Sequence, residues 1–242
     1  MKEIQTDSVD GTDEFVSSVT RGATGRTTNF LSNEQYAEER SVLDWLESPD
    51  MGSHYAVDIF QNLIKNAEVL EEPTLMAYRG KFIDYLDPYP MSDSFGPTLR
   101  AGRYNLEKVP TLYLSASRQG VAAELDHLKA TDKILYCQDY AVPTAELRIA
   151  NFASPSVSNF VQIAFDYAEH ANKHGATDKR NYLFSQTLAQ LVVKAGFSAM
   201  LVPSVRGSPS KRYYNLVVFS PGEQWKSWYC RDRPKVIMKS QE

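Results

Sequence analysis

The sequence predicts an α+β fold, and three observations carry that prediction. Apolar residues recur at helical spacing in several stretches, as Ala56, Ile59, Phe60, Leu63 and Ala67 do. Between such stretches stand short apolar runs of strand length, at 111–114, 134–142, 197–202 and 213–219. The two kinds do not alternate regularly, which excludes the βαβ rhythm of a doubly wound parallel sheet.

The elements follow in chain order. Residues 1–30 are rich in Ser, Thr, Asp and Gly and hold almost no apolar periodicity, so they read as a polar, flexible arm. Ser32, three residues before Gln35, forms a capping box, and Tyr36, Val42, Leu43, Trp45 and Leu46 continue it as a helix that stops before Pro49. A second helix is expected over 53–70. Together these form a helical extension over 31–72. A mixed sheet core over 73–222 then opens with a strand at 74–78. A loop rich in Pro, Asp and Tyr occupies 84–97, and a strand follows at 111–114. Ser117 caps a helix reaching about Leu128, with Val121, Leu125 and Leu128 on its inner side. A strand at 134–142 and helices at 156–170 and 182–195 come next. Gly196 stands just past the last of these, where positive φ is usual. Strands at 197–202 and 213–219 complete the core, and 223–242 reads as a basic tail.

Composition narrows the function. The chain of 242 residues can bury one good-sized core with an extension. A mean hydropathy of −0.40 and the lack of any apolar run near the ~20 residues of a membrane span predict a soluble protein with no membrane partner. The polar start carries no apolar stretch of the Sec signal type. Cys137 and Cys230 lie far apart, form no CxxC pair and read as reduced thiols of a cytosolic protein. Charge is uneven: residues 1–50 hold eleven acids against four bases, whereas 203–242 hold eight bases against three acids. The basic end suits a surface bordering an anionic ligand. A pI near 5.7 and the lack of basic runs interleaved with aromatics argue against nucleic acid.

The chemistry-bearing residues gather in one region. Ala77-Tyr78-Arg79 comes first, then Gly102-Arg103-Tyr104-Asn105, a strand holding Tyr113, and Glu124 inside a small-residue helix. Val202-Pro203-Ser204-Val205-Arg206 and the strand beginning Tyr214-Asn215 follow. Arginine can grip an anion with two parallel hydrogen bonds, tyrosine can cover a cationic ring, and one carboxylate can stand beside a developing positive charge.

This order of residues resembles the RES domain family, named for its spaced Arg, Glu and Ser. The resemblance spans roughly Met76 to Phe219. It implies a core related to the ADP-ribosyltransferase fold and a toxin that consumes NAD. It implies, further, that Arg79 and Arg103 serve the diphosphate or ribose side, Tyr113 the nicotinamide, Glu124 the reacting ribose, and Ser204 a positioning role. Tyr104, Asn105 and Asn215 are secondary lining candidates. One departure stands out. Family members often carry a glycine between the asparagine and the strand tyrosine, where this chain has Leu106-Glu107-Lys108-Val109-Pro110.

Other motifs carry less. His170 and His174 have the i,i+4 spacing of two metal ligands but lack a zinc-protease glutamate between them and precede Gly175, so no metal site is expected. Glu124 and Asp126 cannot face one point on a helix, so they are no glycosidase pair. There is no GxSxG, Walker loop or GxGxxG, so NAD would be a consumed substrate and no cofactor is expected. The expected reaction is cleavage of the nicotinamide–ribose bond, with water or a phosphate co-substrate as acceptor. Mono-ADP-ribosyl transfer to a protein is the near alternative, and a non-catalytic nucleotide-binding module the distant one. An antitoxin or immunity protein is the partner the resemblance implies. The expected location is the cytoplasm, or a target cell reached by a non-Sec route.

Overall fold

The computed structural model describes residues 69–70, 72–84, 92–126, 133–153, 183–204, 206, 213–231 and 233–239, with positions 61 and 64. The expected arm, the helices at 32–46 and 156–170, and His170 and His174 lie outside the described residues. So does most of the helix expected at 53–70, although Gln61 and Ile64 are helical. Val69 is not part of it: it makes an isolated bridge with Ala150.

The fold is α+β, built on one seven-stranded sheet. Its strands are β1 (Leu75–Asp84), β2 (Thr111–Ser115), β3 (Lys133–Val142), β4 (Ile149–Asn151), β5 (Ala199–Pro203), β6 (Tyr214–Phe219) and β7 (Lys235–Lys239). Their order across the sheet is β4-β5-β6-β2-β1-β3-β7. Among the described strands only β4 and β5 run parallel; every other neighbouring pair is antiparallel. Two helices are described, α1 (Arg118–Leu125) and α2 (Leu183–Lys194), with 3₁₀ turns at Ser92–Phe95, Thr144–Glu146 and Gln224–Trp228. No helix among the described residues is long and apolar enough to cross a membrane.

Burial explains why these residues make these strands. All five residues of β5 are buried, and β6 and β3 are nearly so, because they lie inside the sheet. Such strands read as continuous apolar runs, and the sequence prediction found them. One face of the sheet carries the main core, where Leu75, Ala77, Leu112, Leu114, Tyr140, Leu216 and Val218 meet Trp225 and Trp228. The other face carries α1, whose Val121 packs with Tyr78 and Cys137.

Three elements differ from expectation, each for a physical reason. β1 continues past Tyr78 to Asp84 and pairs with β3 over ten residues. Its second half is interrupted by Gly80 and studded with polar side chains, so no apolar run marks it. Residues 223–242, read as a basic tail, supply a 3₁₀ turn that buries Trp225 and Trp228, and then edge strand β7 on β3. Lysines suit an edge strand because they discourage further pairing, and here their charge hid it. β4 is only three residues long, too short for any periodicity to register.

The pairing of β1 with β2 is the weak point of the sheet. Their register consists of one pair, Tyr78↔Ser115, against five pairs for β2 with β6 and ten for β1 with β3. Two well-knit halves therefore meet at a seam and part beyond it.

Gly80 lets α1 lie over that seam. A Cβ there would stand 2.2 Å from Val121 Cγ1 and 2.8 Å from Leu125 Cδ1. Gly80→Ala is expected to lower stability by about 1–3 kcal/mol, the usual cost of overpacking a filled site. Urea denaturation measures this, and an unchanged midpoint would mean that α1 is free to move away.

Candidate active site

A cleft of about 230 Å³ opens at the seam, lined by Arg79, Tyr113, Glu124 and Asn215 among others. This is below the ~300–1,000 Å³ of whole small-molecule pockets, and it suits one portion of a longer ligand. A larger cavity of about 360 Å³ lies between Arg148, Leu191, Lys194 and Phe197. Among the described residues it is lined by no carboxylate, and Arg148 is already committed there, stacked 4.3 Å from the Phe197 ring and bonded to Ala195 O. Chemistry singles out the smaller space.

Helix α1 brings the carboxylate. Ser117 is extended, and its Oγ accepts from Gly120 N at 3.0 Å, so the helix starts there. Gly120 has no room for a side chain, since a Cβ would meet Ser115 Oγ at 2.3 Å. The helix start is thus pressed on the end of β2. Arg118 ties it to β3 through Asp139, at 2.7 Å, and lies over the Tyr78 ring at 5.1 Å. Within the second turn, Glu124 Oε1 accepts from Ser204 Oγ at 2.6 Å and Asn215 Nδ2 at 2.7 Å. The Ser204 hydroxyl in turn accepts from Arg206 N at 3.0 Å, which leaves its proton for Glu124. Both donors use the same oxygen. Among the described residues Oε2 has no hydrogen-bond partner.

Arg79 enters from the other side of the sheet. Tyr78 and Gly80 face α1, so strand alternation sends Arg79 the opposite way. Its guanidinium lies among Tyr140, Tyr113 and Tyr229, and burial lowers its pKa from the ordinary arginine value. It remains a cation at neutral pH. Among the described residues its buried Nη1 has no hydrogen-bond partner, and no carboxylate stands beside it.

Tyr113 forms the wall between. Its hydroxyl donates to Asn105 Oδ1 at 2.6 Å and accepts from Tyr104 N at 3.0 Å, which fixes the ring at the cleft. Tyr104 and Asn105 stand behind that wall, 4% and 3% exposed, rather than on the cleft surface. Burial raises the Tyr104 phenol above its ordinary value, against the opposing pull of the Arg103 guanidinium, which is hydrogen-bonded to it. Arg103 is half-buried on the adjoining turn and does not line the cleft. Thus Arg79, Tyr113, Glu124 and Asn215 share one space, Ser204 joins through Glu124, and Arg103, Tyr104 and Asn105 form the neighbouring turn.

Sequence reasoning missed two side chains that brace this turn. Ser185 Oγ donates to Arg103 O at 2.5 Å, and Gln186 Nε2 donates to Gly102 O at 2.8 Å. Both belong to α2, whose amphipathic pattern gives no sign of such a role. Cys137 is a free, buried thiol, and burial, with Asp139 nearby, pushes it up to about 12, so no thiolate nucleophile forms there at neutral pH.

A family model described as the RES domain matches residues 77–227. The chain belongs to the RES domain family. No curated protein matches it. The RES match begins in β1 just ahead of Arg79, encloses every described residue that lines the cleft, and ends within the turn that buries Trp225 and Trp228. The departure noted in the sequence has a structural counterpart. Lys108 has φ 68°, in the left-handed region where glycine is favoured, and its N–H bonds to Leu99 O at 2.7 Å. The turn keeps a glycine-type conformation without the glycine. Relieving that strain is expected to matter: Lys108→Gly should leave the fold unchanged and raise stability by up to about 1 kcal/mol. A lower denaturation midpoint would show that the lysine side chain contributes more than the backbone strain costs.

Proposed function

We propose that this RES-domain protein consumes NAD by breaking the bond between nicotinamide and ribose. The observation that supports this best is the pairing of two groups in one cleft: a carboxylate with one oxygen held by two donors, and a buried guanidinium that has no counter-charge among the described residues. A ligand with an anionic part and a part that becomes cationic during reaction complements both.

In that reaction the C–N bond breaks and its electron pair leaves with nicotinamide, whose ring nitrogen becomes neutral. The ribose carbon is left oxocarbenium-like. Glu124 Oε2 stands beside that charge or bonds a ribose hydroxyl, and Ser204 and Asn215 keep the carboxylate from turning away. A lone pair of the acceptor oxygen then closes on the sugar carbon, and the acceptor loses a proton. Water yields ADP-ribose; phosphate yields ADP-ribose 1″-phosphate. The Tyr113 ring covers the nicotinamide, and its tethered hydroxyl means stacking costs little ordering. Arg79 meets an anionic or hydroxyl-bearing part of the ligand, and Arg103 serves the diphosphate side. The ADP-ribosyltransferase-like character of the core belongs to this same reading and is supported by the family.

Incubation of the purified protein with NAD tests it through free nicotinamide. Glu124→Gln should lower turnover by ~10²-fold or more, the usual loss when an electrostatic catalytic group goes. The Gln side chain can still accept from Ser204 and Asn215, so the circular dichroism spectrum should be unchanged. Near wild-type turnover would remove Glu124 from the chemistry. Mass spectrometry of the product identifies the acceptor, and label retained on protein would point to transfer instead.

The biological counterpart is a toxin that depletes NAD in the cell holding it, restrained by an antitoxin or immunity protein. Unrestrained expression in bacteria is expected to stop growth, with NAD falling before viability does, and Glu124→Gln should be tolerated. Growth arrest with intact NAD would move the target from the NAD pool to a modified protein.

A further inference from the structure

We propose that Gln186 is a positioning residue for substrate binding, because its side-chain amide sets the turn that carries Arg103. Gln186 lies in the first turn of α2. Its Nε2 donates to Gly102 O at 2.8 Å and to Asn105 O at 3.2 Å. Asn105 O also accepts from Gly102 N at 3.1 Å, closing the turn on itself. Ser185 holds the Arg103 carbonyl between them. From the inner side, the Asn105 amide donates to the carbonyls of Arg100, Leu106 and Val109, and its oxygen takes the Tyr113 hydroxyl.

The turn is therefore braced from two independent elements, β2 through Tyr113 and α2 through Ser185 and Gln186. It also sits very close to Tyr113. A Cβ at Gly102 would lie 2.8 Å from Asn105 Oδ1 and 3.0 Å from the Tyr113 hydroxyl. Any shift of the turn consequently moves Arg103 relative to the ring that walls the cleft. The Tyr113 brace fixes the inner edge, and the α2 brace fixes how far the outer edge stands off. Both acceptors of Gln186 are carbonyl oxygens, so this position requires a donor. A glutamate of the same shape would set lone pairs against lone pairs.

This inference rests on the NAD reading for its kinetic consequence. Arg103 is assigned to the diphosphate side, remote from the bond that breaks, so its contact is equal in the ground and transition states. Loss of such binding appears in KM and spares kcat.

The test uses the full chain with Gln186→Glu and Gln186→Lys, the second retaining a donor of similar reach. For nicotinamide release, Gln186→Glu should raise KM for NAD about tenfold or more with kcat within about twofold, the signature of lost uniform binding. Gln186→Lys should stay within about threefold of wild type in both, because the donor to the two carbonyls is kept. A wild-type KM in Gln186→Glu, or a loss confined to kcat, overturns the proposal. Hydrogen exchange in the NAD-free protein reads the same claim without the reaction. The Gly102 amide should exchange about tenfold faster in Gln186→Glu alone, as local opening of a loosened turn requires. Unchanged exchange overturns the positioning role even where NAD is cleaved. A wild-type protein that releases no nicotinamide overturns the NAD reading instead, and exchange then decides Gln186 by itself.

Discussion

The site exists because β1 and β2 pair at one position and then part. A fully zipped ladder would continue past Tyr78↔Ser115 and set Arg79 and Gly80 against Leu114 and Tyr113 at strand spacing, about 4.8 Å away. That would close the gap into which Arg79 reaches and on which Tyr113 fronts. The parting is tolerated because each half is secured elsewhere. β1 has ten pairs with β3 on its other edge, and β2 has five with β6. The backbone groups freed at the seam face a cleft rather than apolar core, so they need not remain without partners. Helix α1, pressed down by Gly80 and Gly120, roofs the same seam and delivers Glu124 to it.

Two arginines near the seam show how the fold separates structure from chemistry. Arg118 is matched to Asp139, a carboxylate only 5% exposed, with Arg231 a further 3.8 Å contact. That pair fixes α1 to β3, and removing Arg118 would leave the buried Asp139 carboxylate only the longer Arg231 contact. Arg79 has no such partner among the described residues. Its surroundings are three tyrosines, and its Nη1, like Nε of Arg118, is buried without a hydrogen bond. A cation held this way is a local deficit that the rest of the sheet must offset. Such unmet polarity is common where a ligand completes the set.

How much of this was legible in the sequence depended on where each element lies. The central strands β3, β5 and β6 and the cap at Ser117 were legible because burial imposes apolar runs and a helix start requires an acceptor. β7 and the far half of β1 were not, because an edge strand and a cleft wall are written in lysine, glycine and other polar residues. Glu124, Ser204 and Asn215 could be singled out only through the family resemblance, since nothing in their spacing brings positions 124, 204 and 215 together. The sheet does so: Asn215 pairs with Ser115 on β2, and Pro203, the residue before Ser204, pairs with Tyr214. Ser185 and Gln186 had no legible signal, because donors to backbone carbonyls of a distant turn depend on how α2 is placed.

The same placement bears on how the site could work. Glu124 is held from three elements: its own helix, the residue after β5 and a residue of β6. Tyr113 is held by Asn105 and by the Tyr104 backbone, and the turn of Arg103 by α2. Each group is therefore oriented before any ligand arrives. Electrostatic stabilisation of a short-lived charge is most effective when the stabilising dipoles need not rearrange as it forms. A loosely held carboxylate would turn toward water or the nearest arginine in the resting state and lose that advantage. With Oε1 occupied by two donors, Glu124 can rotate only by breaking both, so the carboxylate keeps its orientation.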